Sequence, residues 1–243
     1  MTQIMGIVNV TPDSFSDGGK YYRPEEAIRR ARNLAEEGAS IIDLGAESTR
    51  PGATPIAWDE EWSRLEPVMA GLQGSKCRLS VDTYHPETAR RAVDMGATVL
   101  NCVYAEPIPE MLALLREFPQ TELVMPSACW DLVAGDASLL PRIYLDPMIG
   151  FGTTREEDLA LIRSVPELAK KARVLVGASR KRIVKKLTGE KVTGKNLGGN
   201  LGIAVWCAMN GASVVRVHDV RETVQAVKVV QVIGEGGKVK GER

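Results

Sequence analysis

Eight short apolar runs recur along the chain, and most of them are followed by an amphipathic helical pattern. This alternation is typical of a parallel α/β fold, in which each strand is buried on both faces and consists largely of consecutive Val, Ile and Leu. The runs are residues 4–8, 40–44, 77–81, 98–100, 122–125, 142–145, 173–176 and 213–217. Eight strands in 243 residues, close to the roughly 250 of a TIM barrel, predict a closed (β/α)8 barrel forming one domain over residues 1–243.

The helix signals are clearest after the first strand. Residues 24–37 place Ala27, Ala31 and Leu34 on one helical face, and Gly38 stands where a helix should end. Pro86 occupies the first position of another predicted helix. A Gly-Ala step precedes three strands, at residues 38–39, 96–97 and 211–212, which predicts that three helices end in the same way.

The fifth strand–helix unit differs from the others. The span between Met125 and Asp146 contains Pro126, Gly135 and Pro141 and has no sustained helical periodicity. A parallel crossover usually needs a dozen or more residues, most often as a helix. The helix of the fifth unit is therefore predicted to be shortened or missing.

The charge balance and the cysteines limit the kinds of partner. Thirty-one basic residues balance thirty-one acidic ones, so no global charge favours nucleic acid or an anionic membrane. The four cysteines have no metal-binding spacing and are predicted to be reduced thiols of a cytoplasmic protein.

The first residues lack the pattern of an export signal, and no apolar run is long enough to cross a membrane. A small-molecule partner is expected.

Polar side chains cluster where the predicted strands end. In a parallel barrel the loops after the strands form the active site, so these residues are expected to meet on one rim. Carboxylates, amides and cations converging there suit a planar heterocycle that carries an anionic group. They are Asn9, Glu47, Asp82, Asn101, Asp146, Ser179, Arg180, Lys181, Arg216 and His218.

Simpler interpretations of these residues stay open at this point. Asp82 and Asp146 could each cap the following turn with a side-chain hydrogen bond. His218 could be a core histidine paired with Asp219, although its neighbour Arg216 and nearby Lys181 favour an anion site made of three potential cations. Two long loops, residues 9–19 and 47–54, have the length and composition of binding segments.

Several segments together resemble the signature of the dihydropteroate synthases. They occur in the family's order and span almost the whole chain. They are Asn9 to Gly19 (NVTPDSFSDGG), Glu47 to Gly52 (ESTRPG), Ser80 to Thr83 (SVDT), Asp146-Pro147 with Gly150 to Gly152, Ser179 to Lys181 (SRK) and Arg216 to Asp219 (RVHD).

The resemblance implies a transferase of folate biosynthesis that joins a pterin diphosphate to p-aminobenzoate, with Mg²⁺ as cofactor and a homodimeric assembly. It implies that Asp82, Asn101, Asp146 and Lys181 hold the pterin, and that Arg216, His218 and, through Mg²⁺, Asn9 hold the diphosphate. The loops carrying Phe15, Asp17, Thr49, Arg50 and Pro51 would enclose p-aminobenzoate in the pocket that sulfonamides occupy, with Arg182 near its carboxylate. Asp17, Thr49, Arg50 and Lys181 are the expected catalytic residues.

The chain departs from the family pattern at four positions. Cys102, Pro126, Met148 and Thr153 replace the Asp, His, Gly and Lys that are usual in the family. With the short fifth unit, these changes are expected to lie on one arc of the barrel. These departures support one alternative, a catalytically silent pterin-binding protein. The nearest enzymatic alternative is a methyltransferase that passes a methyl group from a reduced folate to a corrinoid protein. The intact loops after the first two strands argue against the methyltransferase.

Overall fold

The computed structural model describes residues 1–11, 23–47, 53–192 and 194–234. Eight parallel strands form a closed barrel in sequence order, because β1 pairs with both β2 and β8. The predicted TIM-type barrel is therefore confirmed. The strands are β1 (Gln3–Asn9), β2 (Ile41–Gly45), β3 (Arg78–Asp82), β4 (Val99–Asn101), β5 (Glu122–Pro126), β6 (Ile143–Asp146), β7 (Arg173–Val176) and β8 (Val214–Val217).

Most strands extend one residue further than the apolar runs from which they were predicted. Asp82 and Asn101 pair with each other as the last residues of β3 and β4, and Pro126 pairs with Asp146 at the ends of β5 and β6. The backbone ladder continues past the last apolar side chain because it depends on main-chain partners. The polar side chains therefore belong to the strands and not to the loops that follow them.

Nine helices lie in the described part of the chain. They are α1 (Pro24–Glu36), α2 (Trp58–Gly71), α3 (Pro86–Asp94), α4 (Ile108–Glu117), α5 (Arg155–Arg163), α6 (Val165–Ala169), α7 (Arg182–Thr188), α8 (Leu197–Met209) and α9 (Val220–Gly234). Gly38, Gly96 and Gly211 follow three of them with φ angles of 105°, 98° and 95°. Glycine adopts this left-handed conformation most readily, and the three predicted helix ends are confirmed.

The fifth unit has no α-helix. Two short 3₁₀ segments, Ser127–Leu132 and Leu140–Arg142, connect β5 to β6. Cys129, Val133 and Leu139 from this connection pack with Leu123 and Met125 of β5. The connection thus buries the outer face of β5 as a helix would, and the predicted absence of a full helix is confirmed.

Alternate strand residues separate the barrel interior from the layer beneath the helices. Seven of them form a central cluster: Met5, Ile41, Val99, Val124, Tyr144, Leu175 and Val214. Glu122 lies at the N-terminal end of the barrel, where it pairs with Arg78 and with Arg173, the latter at 2.6 Å. This ion cluster is partly buried, and the polar residues predicted for the site lie at the opposite mouth of the barrel.

All four cysteines carry free thiols, and three of them are buried. Burial raises the pKa of Cys102 and that of Cys207 to about 12, which keeps both thiols protonated. No helix in the described ranges is both long and apolar enough to span a membrane.

Candidate functional site

The C-terminal mouth of the barrel collects most of the residues that the sequence singled out. Asp82, Asn101 and Asp146 are the last residues of β3, β4 and β6. Arg216 lies within β8, and Lys181 is the residue immediately before α7. The barrel therefore brings together two carboxylates, one amide and two cations from five separate segments.

Arg216 is held by two carboxylates. Its Nε donates to Asp43 Oδ2 at 2.6 Å, and its Nη2 donates to Asp82 Oδ2, also at 2.6 Å. Burial alone would lower the pKa of Arg216, but the attraction of both carboxylates outweighs burial and the net shift is upward. Arg216 is thus a permanent cation joined to one of the predicted pterin-binding residues.

Asp43 is the residue of this site that the sequence analysis missed. Its side chain is fully buried on β2, where Ser80 donates to Oδ1 at 2.5 Å and Asn101 donates to Oδ2 at 3.3 Å. A single aspartate inside the apolar run IIDLG was a signal that could have revealed it. A charged residue in a strand buried on both faces needs a partner, because an unpaired buried charge is costly.

Asp82 titrates close to neutrality. Burial raises its pKa to about 7, against the lowering effect of Arg216 and with further repulsion from Asp43 and Glu61. Near neutral pH Asp82 can therefore be either an ionised carboxylate, which only accepts hydrogen bonds, or a protonated carboxyl group, which can also donate one.

Asp146 and Lys181 form the other charged part of the site. Asp146 Oδ1 accepts the amide N–H of Met148 at 2.7 Å, so the alternative of a turn cap is correct for one of its two oxygens. Lys181 Nζ donates to the carbonyl of Ile149 at 2.6 Å and lies 4.4 Å from the centre of the Phe151 ring. Burial lowers the pKa of Lys181 to about 8, although the Asp146 carboxylate opposes the shift.

The expectation that His218 could be a cation is wrong for the free protein. Burial, together with Arg180 and Arg216, lowers the pKa of His218 to about 4, so the imidazole is neutral at physiological pH. Its Nδ1 lies 3.1 Å from Ser179 Oγ. The hydrogen-bond partner of His218 is thus Ser179, whereas Asp219 accepts a hydrogen bond from Arg180 at 2.5 Å. In the free protein His218 would meet an arriving anion as a neutral hydrogen-bond donor.

The neutral state of His218 predicts a specific pH dependence of stability. Below the ordinary histidine pKa of about 6.5 His218 is protonated in the unfolded chain, whereas in the folded chain it stays neutral down to about pH 4. Its contribution to the free energy of unfolding is therefore present above pH 6.5 and is lost as the pH falls toward 4. We expect His218→Gln to flatten that part of the profile of unfolding free energy, measured with urea. Equal slopes for both proteins would contradict the assignment.

Asn9 and Arg182 lie at the rim of the same mouth. Asn9 ends β1 with an exposed side chain, and Arg182 begins α7 with its guanidinium donating to the carbonyl of Thr153. The remaining predicted site residues, Phe15, Asp17, Thr49, Arg50 and Pro51, lie outside the described residues.

The four departures lie on neighbouring strands and their loops, as expected. Cys102 is buried after β4, Pro126 ends β5, and both Met148 and Thr153 lie in the loop after β6. Met148 has a φ of 66°, a conformation that costs a residue with a side chain about 1 kcal/mol. Thr153 Oγ1 donates to the buried Asp158 at 2.5 Å, and the same carboxylate accepts the amide of Gly150 at 2.7 Å. This contact stabilises the loop without a lysine.

Residues 5–130 and 134–218 match the family of pterin binding enzymes. The chain therefore belongs to this family. The dihydropteroate synthase of Neisseria meningitidis serogroup B is 36% identical over 266 residues, which cover 96% of this chain and 93% of that protein.

Two solved structures show the same similarity. The dihydropteroate synthase of Xanthomonas albilineans with 4-aminobenzoic acid superposes with a TM-score of 0.87 at 36% identity, covering 96% of this chain and 93% of that one. The Xanthomonas albilineans enzyme in complex with 7,8-dihydropteroate has a TM-score of 0.81 at 34% identity, covering 96% and 94%. Both the fold and the sequence similarity extend over nearly the whole chain.

Proposed function

We propose that this protein is a dihydropteroate synthase, a transferase that joins a pterin diphosphate to p-aminobenzoate in folate biosynthesis. The main observation behind this proposal is a set of polar side chains in the C-terminal mouth, which we call the polar floor. It consists of Asp82, Asn101, Asp146 and Lys181, which converge around Arg216. Relatives of known activity along almost the full length support it.

The floor matches the hydrogen-bonding edge of a pterin ring. The ring presents N–H donors beside acceptor atoms, which calls for carboxylates, an amide and a cation in one plane. Asp146 Oδ2 and Asp82 Oδ1 make no hydrogen bond to any described residue, and Asn101 Oδ1 is buried without a partner. An unpaired buried polar group costs about 1–3 kcal/mol, so a ligand that donates to Asn101 Oδ1 is favoured, and the two carboxylate oxygens are available to the same ligand.

The diphosphate is proposed to lie beside this floor. Arg216 supplies a fixed positive charge, and neutral His218 supplies an N–H donor. The exposed amide oxygen of Asn9 suits Mg²⁺, which keeps several waters and often binds one protein oxygen together with substrate phosphates. When bound there, the metal would neutralise part of the diphosphate charge.

The reaction needs positioning more than a nucleophile from the protein. The bond between the pterin methylene carbon and the diphosphate oxygen breaks, and the diphosphate leaves with the electron pair. The amine nitrogen of p-aminobenzoate then bonds to that carbon and loses a proton. Asp82, Asn101 and Asp146 hold the ring while Arg216 stabilises the departing charge. We assign Phe15, Asp17, Thr49, Arg50, Pro51 and Arg182 to the p-aminobenzoate side, where sulfonamides would compete.

An assay with the pterin diphosphate, p-aminobenzoate and Mg²⁺ tests the proposal. We expect release of diphosphate matched by formation of dihydropteroate, and both should disappear in Asp146→Asn. Pterin binding without product would favour a silent pterin-binding protein. Methyl transfer from a reduced folate to a corrinoid protein, without dihydropteroate, would favour the methyltransferase.

We also propose that the protein is a homodimer formed through α7, α8 and α9. Exposed apolar side chains lie on these neighbouring helices: Leu187 beside the start of α8, and Trp206, Met209, Val229 and Ile233 along the later parts of α8 and α9. A two-fold interface can bury one such patch against its own copy. We expect light scattering to give twice the chain mass and Met209→Glu with Ile233→Glu to give the monomer. A wild-type monomer at micromolar concentration would exclude the dimer.

A further inference from the structure

Asp43 lies below the polar floor, inside the barrel. It is 0% exposed and accepts hydrogen bonds from three different strands, β3 through Ser80, β4 through Asn101 and β8 through Arg216. The residues it joins are therefore on opposite sides of the interior, and Arg216 is distant from Asp43 in the sequence. No other side chain described contacts both Arg216 and Asn101 in this way.

The two carboxylates around Arg216 contact different atoms of its guanidinium. Asp43 receives the hydrogen bond from Nε, and Asp82 receives the one from Nη2. Nε and Nη2 belong to one rigid plane, so hydrogen bonds at both nitrogens fix the plane at two points. The bond to Asp82 alone would fix it at only one. Asp43 thus determines where Arg216 presents its remaining donors.

We propose that Asp43 is a positioning residue that holds Arg216, so that this one arginine serves both the pterin-binding Asp82 and the diphosphate. The identity of the ligand rests on the proposed function, whereas the positioning of Arg216 and Asp82 does not. Asp43 touches neither proposed substrate and acts through Arg216. Asparagine is a weaker substitute, because its single oxygen would accept from Arg216 and Asn101 without a negative charge, while its amide would face Ser80.

The charges around Asp82 predict how this role can be measured. Asp82 faces Arg216 from β8 and Lys181 from the loop after β7, which favour its ionised form. It also faces Asp43 from β2 and Glu61 from α2, which disfavour that form. Loss of the Asp43 charge by itself would remove one repulsion and lower the titration midpoint of Asp82. Release of Arg216 from its position would weaken an attraction that is stronger than that repulsion, so a positioning role predicts that the midpoint rises.

The experiment compares wild type, Asp43→Asn and Glu122→Gln. Glu122 is a matched control because it is also a carboxylate between arginines, but at the other end of the barrel. The pH titration of Asp82 is followed by the ¹³C shift of its carboxyl carbon in the free protein. We expect the midpoint to rise above that of the wild type in Asp43→Asn and to stay unchanged in Glu122→Gln. An unchanged or lower midpoint in Asp43→Asn would overturn the proposal, because Arg216 would then still be held against Asp82.

Binding of the pterin diphosphate, measured by calorimetry, supplies the second readout. We expect Asp43→Asn to weaken it about 10- to 100-fold, in line with the loss of a charge-assisted hydrogen bond. Ser80→Ala, a milder change that frees Asp43 Oδ1, should weaken it several-fold. Unchanged affinity in both variants, with wild type binding normally, would overturn the role. If wild type itself did not bind the pterin, the proposed function would fail while the titration of Asp82 still tested the positioning.

Discussion

Asp146→Asn is expected to abolish measurable pterin binding while leaving the barrel folded. Asp146 is 6% exposed, and Met148 occupies one of its oxygens, so the second is left for the ligand. Asparagine can keep the bond to Met148 only by turning its amide toward the donors of the pterin edge. Exchanging an acceptor for a donor in a buried site should raise the dissociation constant at least ~100-fold. Calorimetry with the pterin diphosphate measures it.

Asp82→Asn should behave similarly, whereas Glu122→Gln provides the contrast. Glu122 is paired with arginines at the N-terminal end of the barrel, so its replacement should lower stability and leave pterin affinity unchanged. Circular dichroism checks that each variant is folded. Wild-type affinity in both aspartate variants would remove the central assignment of the site.

Arg216→Ala is expected to be the most destabilising of the substitutions considered. It leaves Asp43 and Asp82 as two buried carboxylates without their shared cation. Breaking a buried ion pair by removing one partner typically costs 3–5 kcal/mol, and we expect a loss of about that size in the urea-derived free energy of unfolding. The loss should shrink as the pH falls, because protonation removes the charge of Asp82, whose pKa is raised by burial. A loss under 1 kcal/mol would show that solvent, not Arg216, satisfies them.

The same substitution should separate two ligands. Binding of the pterin diphosphate should weaken far more than binding of the pterin alcohol, because only the diphosphate carries the charge that Arg216 would meet. Arg216→Lys keeps the charge but loses the planar fork and its bond to Asp43, so its effect should be intermediate. Equal losses for both ligands would show that Arg216 supports the fold and makes no contact with phosphate.

The strands and the rim residues could be predicted because both are local in the sequence. A buried parallel strand shows as an apolar run, and the polar residue after the run marks its C-terminal end. Asp82, Asn101 and Asp146 were found in this way, and the missing helix of the fifth unit was evident from its prolines. The one-residue difference in strand ends arose because main-chain pairing continues beyond the apolar side chains.

What could not be predicted depends on contacts between distant parts of the chain. Asp43 and Arg216 are brought together only by closure of the barrel, which places β2 and β8 on either side of β1. The neutral state of His218 likewise depends on burial and on Arg180 and Arg216, which the spacing of residues does not reveal. The rim residues could therefore be found from the sequence, whereas Asp43 and the electrostatic environment of the site depend on closure of the barrel.

The ion clusters at the two ends of the barrel carry opposite net charges, so the electrostatic potential changes sign along the barrel axis. At the N-terminal end two arginines, Arg78 and Arg173, surround one carboxylate, Glu122. Beneath the C-terminal mouth two carboxylates, Asp43 and Asp82, surround one arginine, Arg216. The depth of the site therefore favours hydrogen-bond donors, while the cation of Arg182 lies at the rim. Electrostatic forces would therefore orient an incoming molecule with a donor-rich ring and an anionic tail, so that the ring enters the site first.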